Sequence, residues 1–132
     1  MNFVGTKNFT LEGDPKLACS CGCGLLPDQD FMQRVQMVRD LVGVPLPVIS
    51  GARCSTYNSK VSSTGASGPH TRRRAIDLGV SGELAYRVVK VASKCGMTGI
   101  GVSQKGPHGS RFVHLDDLPN GPGCPRPWIW SY

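Results

Sequence analysis

No stretch of the chain approaches the roughly 18 consecutive apolar residues of a membrane-spanning helix, so membrane insertion is not expected. Residues 1–14 also lack a basic segment followed by an apolar core. They do not read as a secretion signal, and synthesis in the cytoplasm is the expectation. Acidic residues are few, 9 against 15 Lys and Arg, for a formal net charge of +6. That balance suits an anionic partner such as nucleic acid, a cell-wall polymer or a membrane surface. Aromatic residues amount to only 7%. Before Trp128 few of them are interleaved with basic residues, which argues against a nucleic-acid surface. The 6 cysteines include no Cys-x-x-Cys pair, the usual spacing of a structural zinc site.

Gly and Pro, by contrast, are plentiful, 17 and 10 of 132 residues. They leave too little uninterrupted sequence for a helical bundle or coiled coil. A chain of 14.1 kDa suits one domain able to bury about two-thirds of its unfolded surface. Residues 1–27 read as an irregular arm, anchored by Phe3, Phe9 and Leu11 and carrying a Cys-Gly run. The spacing of Phe31, Val35, Val38 and Leu41 predicts a helix over 28–41, capped by Asp28 and stopped by Gly43. Leu84, Val88, Val91 and Cys95 predict a second over 82–94, with Ser81 as its cap. Strands are expected over 47–50, 75–80, 98–103 and 111–115. Residues 55–74 read as a long polar loop, and 119–132 as an aromatic tail packing on the body. Helices and short hairpin-linked strands without βαβ alternation indicate an α+β fold: a small antiparallel sheet flanked by two main helices and long loops.

Three histidines, His70, His108 and His114, all fall in loop or strand-end positions. In the strand over 75–80, Ile76, Leu78 and Val80 share one face, so Asp77 points to the other. Phe112, His114 and Asp116 share a face of a neighbouring strand, and His70 descends from the preceding loop. Two histidines and a carboxylate make a zinc set with a fourth position open for water, able to lower the water pKa to about 7 and to polarise a carbonyl.

Ile-Ser-Gly-Ala-Arg-Cys at 49–54, Tyr57-Asn58, His70 with Asp77, and Phe-Val-His-Leu-Asp at 112–116 occur in that order. Together with the Phe-containing arm and Cys-x-Cys-Gly-Cys-Gly run, this set resembles the zinc D-Ala-D-Ala carboxypeptidase-like peptidases, which share a fold with the hedgehog signalling domain. The likeness spans about residues 8–118, and its nearest branch contains small phage and bacterial murein peptidases. It implies His70, Asp77 and His114 as ligands of one catalytic Zn2+, and Arg53 as the group that binds a substrate carboxylate or steadies the oxyanion.

Three positions depart from the family pattern. Arg73 stands where a Gly is usual, and Gly68 where a Ser is common. Arg111 takes the place, three before the last His, of the acidic base found in related branches. Two residues are then candidates for proton handling. Asp116 is either a base or the partner that orients a ligand. His108, six before His114, is a base or electrophile on a turn.

The expected function is hydrolysis of a peptide bond in the stem or cross-link peptides of peptidoglycan, by a monomeric phage endolysin or virion-associated lytic enzyme that acts on the wall after release. The bond, whether cut in the D,D-carboxypeptidase or endopeptidase manner or between L-Ala and D-Glu, is left open. The alternative is a catalytically silent, zinc-containing wall-binding module of the same fold. A zinc-knuckle nucleic-acid protein is the third and least favoured reading. Cys19, Cys21 and Cys23 are expected to be ordinary thiols rather than a second metal site, for which Cys54 would be the fourth ligand. The run Arg72, Arg73, Arg74 is expected to be a solvated surface that attracts wall carboxylates or phosphates.

Overall fold

The computed structural model describes all 132 residues. Its five strands are β1 (Val48–Ser50), β2 (Ala75–Leu78), β3 (Gly99–Ser103), β4 (Phe112–Asp116) and β5 (Trp128–Ser131). Its three helices are α1 (Gln29–Val42), α2 (Ser55–Val61) and α3 (Gly82–Ala92). The strands form one sheet in the order β1-β2-β4-β3-β5. The first three pairings are antiparallel, whereas β5 runs parallel to β3. The fold is α+β as expected, but the sheet is mixed rather than antiparallel, because the aromatic tail returns as an edge strand.

One sheet face is apolar. Ile76, Leu78, Val113 and Leu115 are fully buried there and form one core with Phe31, Met32, Val35 and Val38 of α1 and Val88 of α3. Burying each of these side chains contributes about 1.5–3 kcal/mol. Phe3 and Phe9 join the same core and anchor the arm, with Leu11 packed at its margin. Asp28 caps α1 as expected, its Oδ1 accepting from the backbone N–H groups of Asp30 (2.9 Å) and Phe31 (3.2 Å). Ser81 occupies the cap position of α3 but makes no capping bond; the Gly82 N–H donates to Gln104 instead.

Two expectations fail in instructive ways. The polar stretch 55–74 contains α2 and a 3-10 turn at Pro69–Arg72. Helical periodicity is absent from α2 because its buried residue is Asn58, held by hydrogen bonds rather than by apolar contact. The triple-arginine run is not a uniformly solvated surface either. Arg74 clamps both oxygens of buried Asp117 and also reaches Asp28 (2.6 Å), tying β2 to the cap of α1. Arg73 has φ 66°, the left-handed conformation that explains why Gly is usual here. Its guanidinium donates to the Leu26 carbonyl and Asn2. Only Arg72 is exposed.

On the opposite face, β3 offers glycines. Cross-strand register sets Gly99 against Asp116 and Gly101 against His114, with Trp130 on the far side of Gly101. A Cβ at Gly99 would collide with the Asp116 carboxylate, and one at Gly101 would lie 2.6 Å from the Trp130 indole nitrogen. The missing side chains make the space that the polar face occupies. Gly99→Ala is therefore expected to destabilise the chain by about 1–3 kcal/mol through overpacking. Gly109→Ala, where a Cβ meets nothing within 4 Å, should shift stability by less than about 0.5 kcal/mol. Urea unfolding midpoints of the two variants check this.

Candidate active site

Asp77 and His114 are direct cross-strand partners on β2 and β4, which puts an imidazole beside a carboxylate on the polar face. His70 reaches them from the 3-10 turn that precedes β2. All three side chains are buried, and one ligand atom from each falls within 4.8 Å of the others.

Hydrogen bonds fix what each ring presents. Nδ1 of His70 lies 2.7 Å from the Gly51 carbonyl, which can only accept, so Nδ1 donates there and Nε2 is turned inward. Nε2 of His114 lies 2.8 Å from Asp116 Oδ2 and donates to it, which turns Nδ1 inward. Both inward nitrogens face the same oxygen, Asp77 Oδ1, at 3.3 Å from His70 and 3.0 Å from His114, and an N–H there donates to that carboxylate in the metal-free chain. A cation that displaces the inward protons would meet two imidazole lone pairs and a carboxylate oxygen. The donors, two imidazoles and a carboxylate with their outward nitrogens tethered, match a zinc site with an open position.

The local electrostatics agree. Burial opposes ionisation of Asp77, but hydrogen bonds and charge from His114 and His70 outweigh it and hold the carboxyl well below its ordinary range. Burial likewise disfavours charge on His114, yet Asp116 and Asp77 together raise its pKa. Asp116 is desolvated too, but His114 and Arg126 pull it down to about 2. Arg126 clamps Asp116 with Nε and Nη2, each at 2.8 Å, and stacks on Trp130 at 5.2 Å from the ring centroid.

Arg53 joins the cluster through Asp77 Oδ2 (3.3 Å) and is braced by Ser50 (3.0 Å) and Asn58 (3.0 Å). It lines a cleft of about 440 Å³ with His70, Asp77, His114, Phe112, Trp130 and Tyr132. Trp130 packs on His114 at 5.1 Å between centroids, and Tyr132 packs on Phe112 at 5.0 Å.

Of the residues singled out in the sequence, His70, Asp77, His114 and Arg53 come together at the cleft. Asp116 stands behind His114, fully buried and outside the cleft lining. His108 is exposed on the turn before β4 and does not line the cleft. Asn58, Arg126, Trp130 and Tyr132 carried no functional assignment. The alternation Trp128-x-Trp130-x-Tyr132 was the available signal, since period 2 puts all three rings on one strand face.

No curated protein sequence and no solved structure matches the chain. A family model, Peptidase M15, matches residues 8–116, the greater part of the chain and the span that contains every residue of the histidine–aspartate set. With that match, the chain belongs to the peptidase M15 family of zinc D-Ala-D-Ala carboxypeptidase-like enzymes.

Proposed function

We propose that the protein is a zinc-dependent peptidase that hydrolyses a peptide bond in bacterial peptidoglycan, acting on the wall as a phage endolysin or virion-associated lytic enzyme. The observation that carries this reading is the convergence of His70 Nε2, His114 Nδ1 and the Asp77 carboxylate at the floor of an open cleft, in a member of this peptidase family. Bound zinc supplies Lewis acidity towards a carbonyl and acidifies water.

The chain's own residues do the rest. His70 is oriented by the Gly51 carbonyl and His114 by Asp116, so neither ring has to reorganise when the ion enters. Arg53, whose three guanidinium nitrogens hold Ser50, Asn58 and Asp77, offers the second N–H of each Nη to the substrate's carboxylate or to the oxygen on which charge develops. Trp130, Tyr132 and Phe112 form an apolar wall that can bury the peptide stem. Asp116 acts through His114 as a positioning residue. His108 is the one imidazole outside the metal set, and it carries the proton by a swing of its glycine-flanked turn. The net charge of +6 favours approach to an anionic wall.

Purified protein incubated with murein sacculi should release new amine termini, and a chelator should abolish that release. His70→Ala and Asp77→Ala should lose both activity and the cleft metal, while His108→Ala should slow turnover by about 10²-fold. Full activity in either ligand variant contradicts the reading. Zinc uptake with no cleavage favours the silent wall-binding module.

Asp116→Asn keeps the size of the side chain but weakens its pull on the His114 ring. It is expected to lower zinc affinity at the cleft by about 10–100-fold, measured by competition with a chromophoric chelator.

The metal-free chain should show a dome-shaped pH dependence. The depressed pKa of Asp116, about 2, contributes stability that is full above its unfolded value of about 3.9 and is lost as pH falls. The raised pKa of His114 contributes stability that is full below about 6.5 and is lost as pH rises through the folded value. Urea unfolding in the presence of a chelator should place the maximum between about pH 4 and 6.5; stability still rising beyond about pH 8 contradicts this.

A further inference from the structure

We infer that Cys19, Cys21, Cys23 and Cys54 form a second metal site, a structural tetrathiolate centre for zinc that fastens the N-terminal arm to the loop carrying Arg53. The sequence spacing argued for ordinary thiols, because alternating cysteines differ from the Cys-x-x-Cys pairs usual in structural zinc sites, and an extended chain would spread their thiols along one face. The backbone is not extended here. Gly22 and Gly24 adopt left-handed conformations (φ 84° and 87°). The run closes on itself through Cys19 N–H to Leu25 carbonyl (2.9 Å) and Gly22 N–H to Cys19 carbonyl (3.2 Å). The three thiols thereby turn to one point, and Cys54, distant in sequence, completes the set.

The four sulfurs lie within 4.8 Å of one another. Cys19 and Cys21 are 3.4 Å apart, and Cys21 and Cys54 are 3.6 Å apart. A tetrahedral zinc with bonds of about 2.3 Å to sulfur requires ligand separations of about 3.8 Å. Backbone N–H groups already point at two of these sulfurs: Cys54 N–H to Cys19 Sγ and Tyr57 N–H to Cys54 Sγ, each 3.3 Å. Thiolate ligands accept such bonds. Exposed Cys21 and Cys23 leave an entry path for the ion.

The position gives the site a purpose. Cys54 directly follows Arg53, and the preceding Ala52 N–H bonds the Leu17 carbonyl at 2.9 Å. Gly51, whose carbonyl orients His70, packs so closely on the Leu17 backbone that a Cβ would collide with it. A metal held across Cys19–Cys23 and Cys54 therefore fixes the loop from which both Arg53 and His70 take their bearings.

Metal analysis of the full chain purified with zinc should give two ions. His70→Ala/His114→Ala should retain one, Cys21→Ser/Cys23→Ser should also retain one, and Cys124→Ser, outside the cluster, should retain two. Because the cysteine variant can fail to fold, the deciding measurement uses the histidine double variant loaded with cobalt. Strong thiolate-to-cobalt charge-transfer absorption supports the site. In native protein only Cys124 should alkylate, since Cys95 is covered by the core, and a chelator should open the four cluster thiols as well. A histidine double variant without bound metal, or a disulfide within the cluster after purification under reductant, overturns the proposal. A chain inactive on sacculi that still shows the cobalt–thiolate spectrum overturns the peptidase reading and leaves this site standing.

Discussion

The polar face is organised around one buried carboxylate. Asp77 sits in the second strand of a sheet whose other side is hydrocarbon, where an ion without partners is strongly disfavoured. It is tolerated because both of its oxygens are spoken for: Oδ1 by the two imidazoles and Oδ2 by Arg53. Each partner is braced in turn, His70 by Gly51, His114 by Asp116, and Arg53 by Ser50 and Asn58. Taking any one away leaves the rest of a low-dielectric network unsatisfied. The three-donor geometry is thus held before any ion arrives, as a site that binds metal without reorganising requires.

The same constraint explains the composition of β3 and the route of the tail. A second buried carboxylate, Asp116, needs room and a counter-charge. Gly99 yields the room, and Arg126 delivers the charge from the segment entering β5. Gly101 yields space for Trp130, which covers His114 and stacks under Arg126. The parallel edge strand is therefore part of the site's wall. It lies beyond residue 116, where the family match ends, so this wall is built from a part of the chain that the family pattern does not describe.

Much of the scaffold was legible because its signals are local. Phe31, Val35 and Val38 repeat at helical spacing, and Ile76 and Leu78 alternate around Asp77; each pattern is complete within a few residues. α2 was not legible, since Asn58 is buried by hydrogen bonds to Arg53, Thr64 and Gly65, and hydropathy does not register that. Neither was the fate of the arginine run: Arg73 and Arg74 look alike in sequence, yet one caps a turn with positive φ and the other clamps Asp117. The thiol cluster was hidden by the same limit, because the loop closure that gathers Cys19, Cys21 and Cys23, and the approach of Cys54 to them, exist only in the folded chain.

The sequence by itself determined the two amphipathic helices, the strand faces that aim Asp77 and His114 away from the core, and the ordered motifs that carry the family likeness. Tertiary structure alone decided that His70 and His114 each turn one nitrogen to a single oxygen, that Asp116 stands behind His114 and not in the cleft, and that Trp130 and Tyr132 wall the site. The physical reason is range. Periodicity and capping are properties of neighbouring residues, whereas Asp77 and His114 are 37 positions apart. Their meeting depends on strand register and on which carbonyl or carboxylate each ring finds, and these exist only once the sheet is assembled.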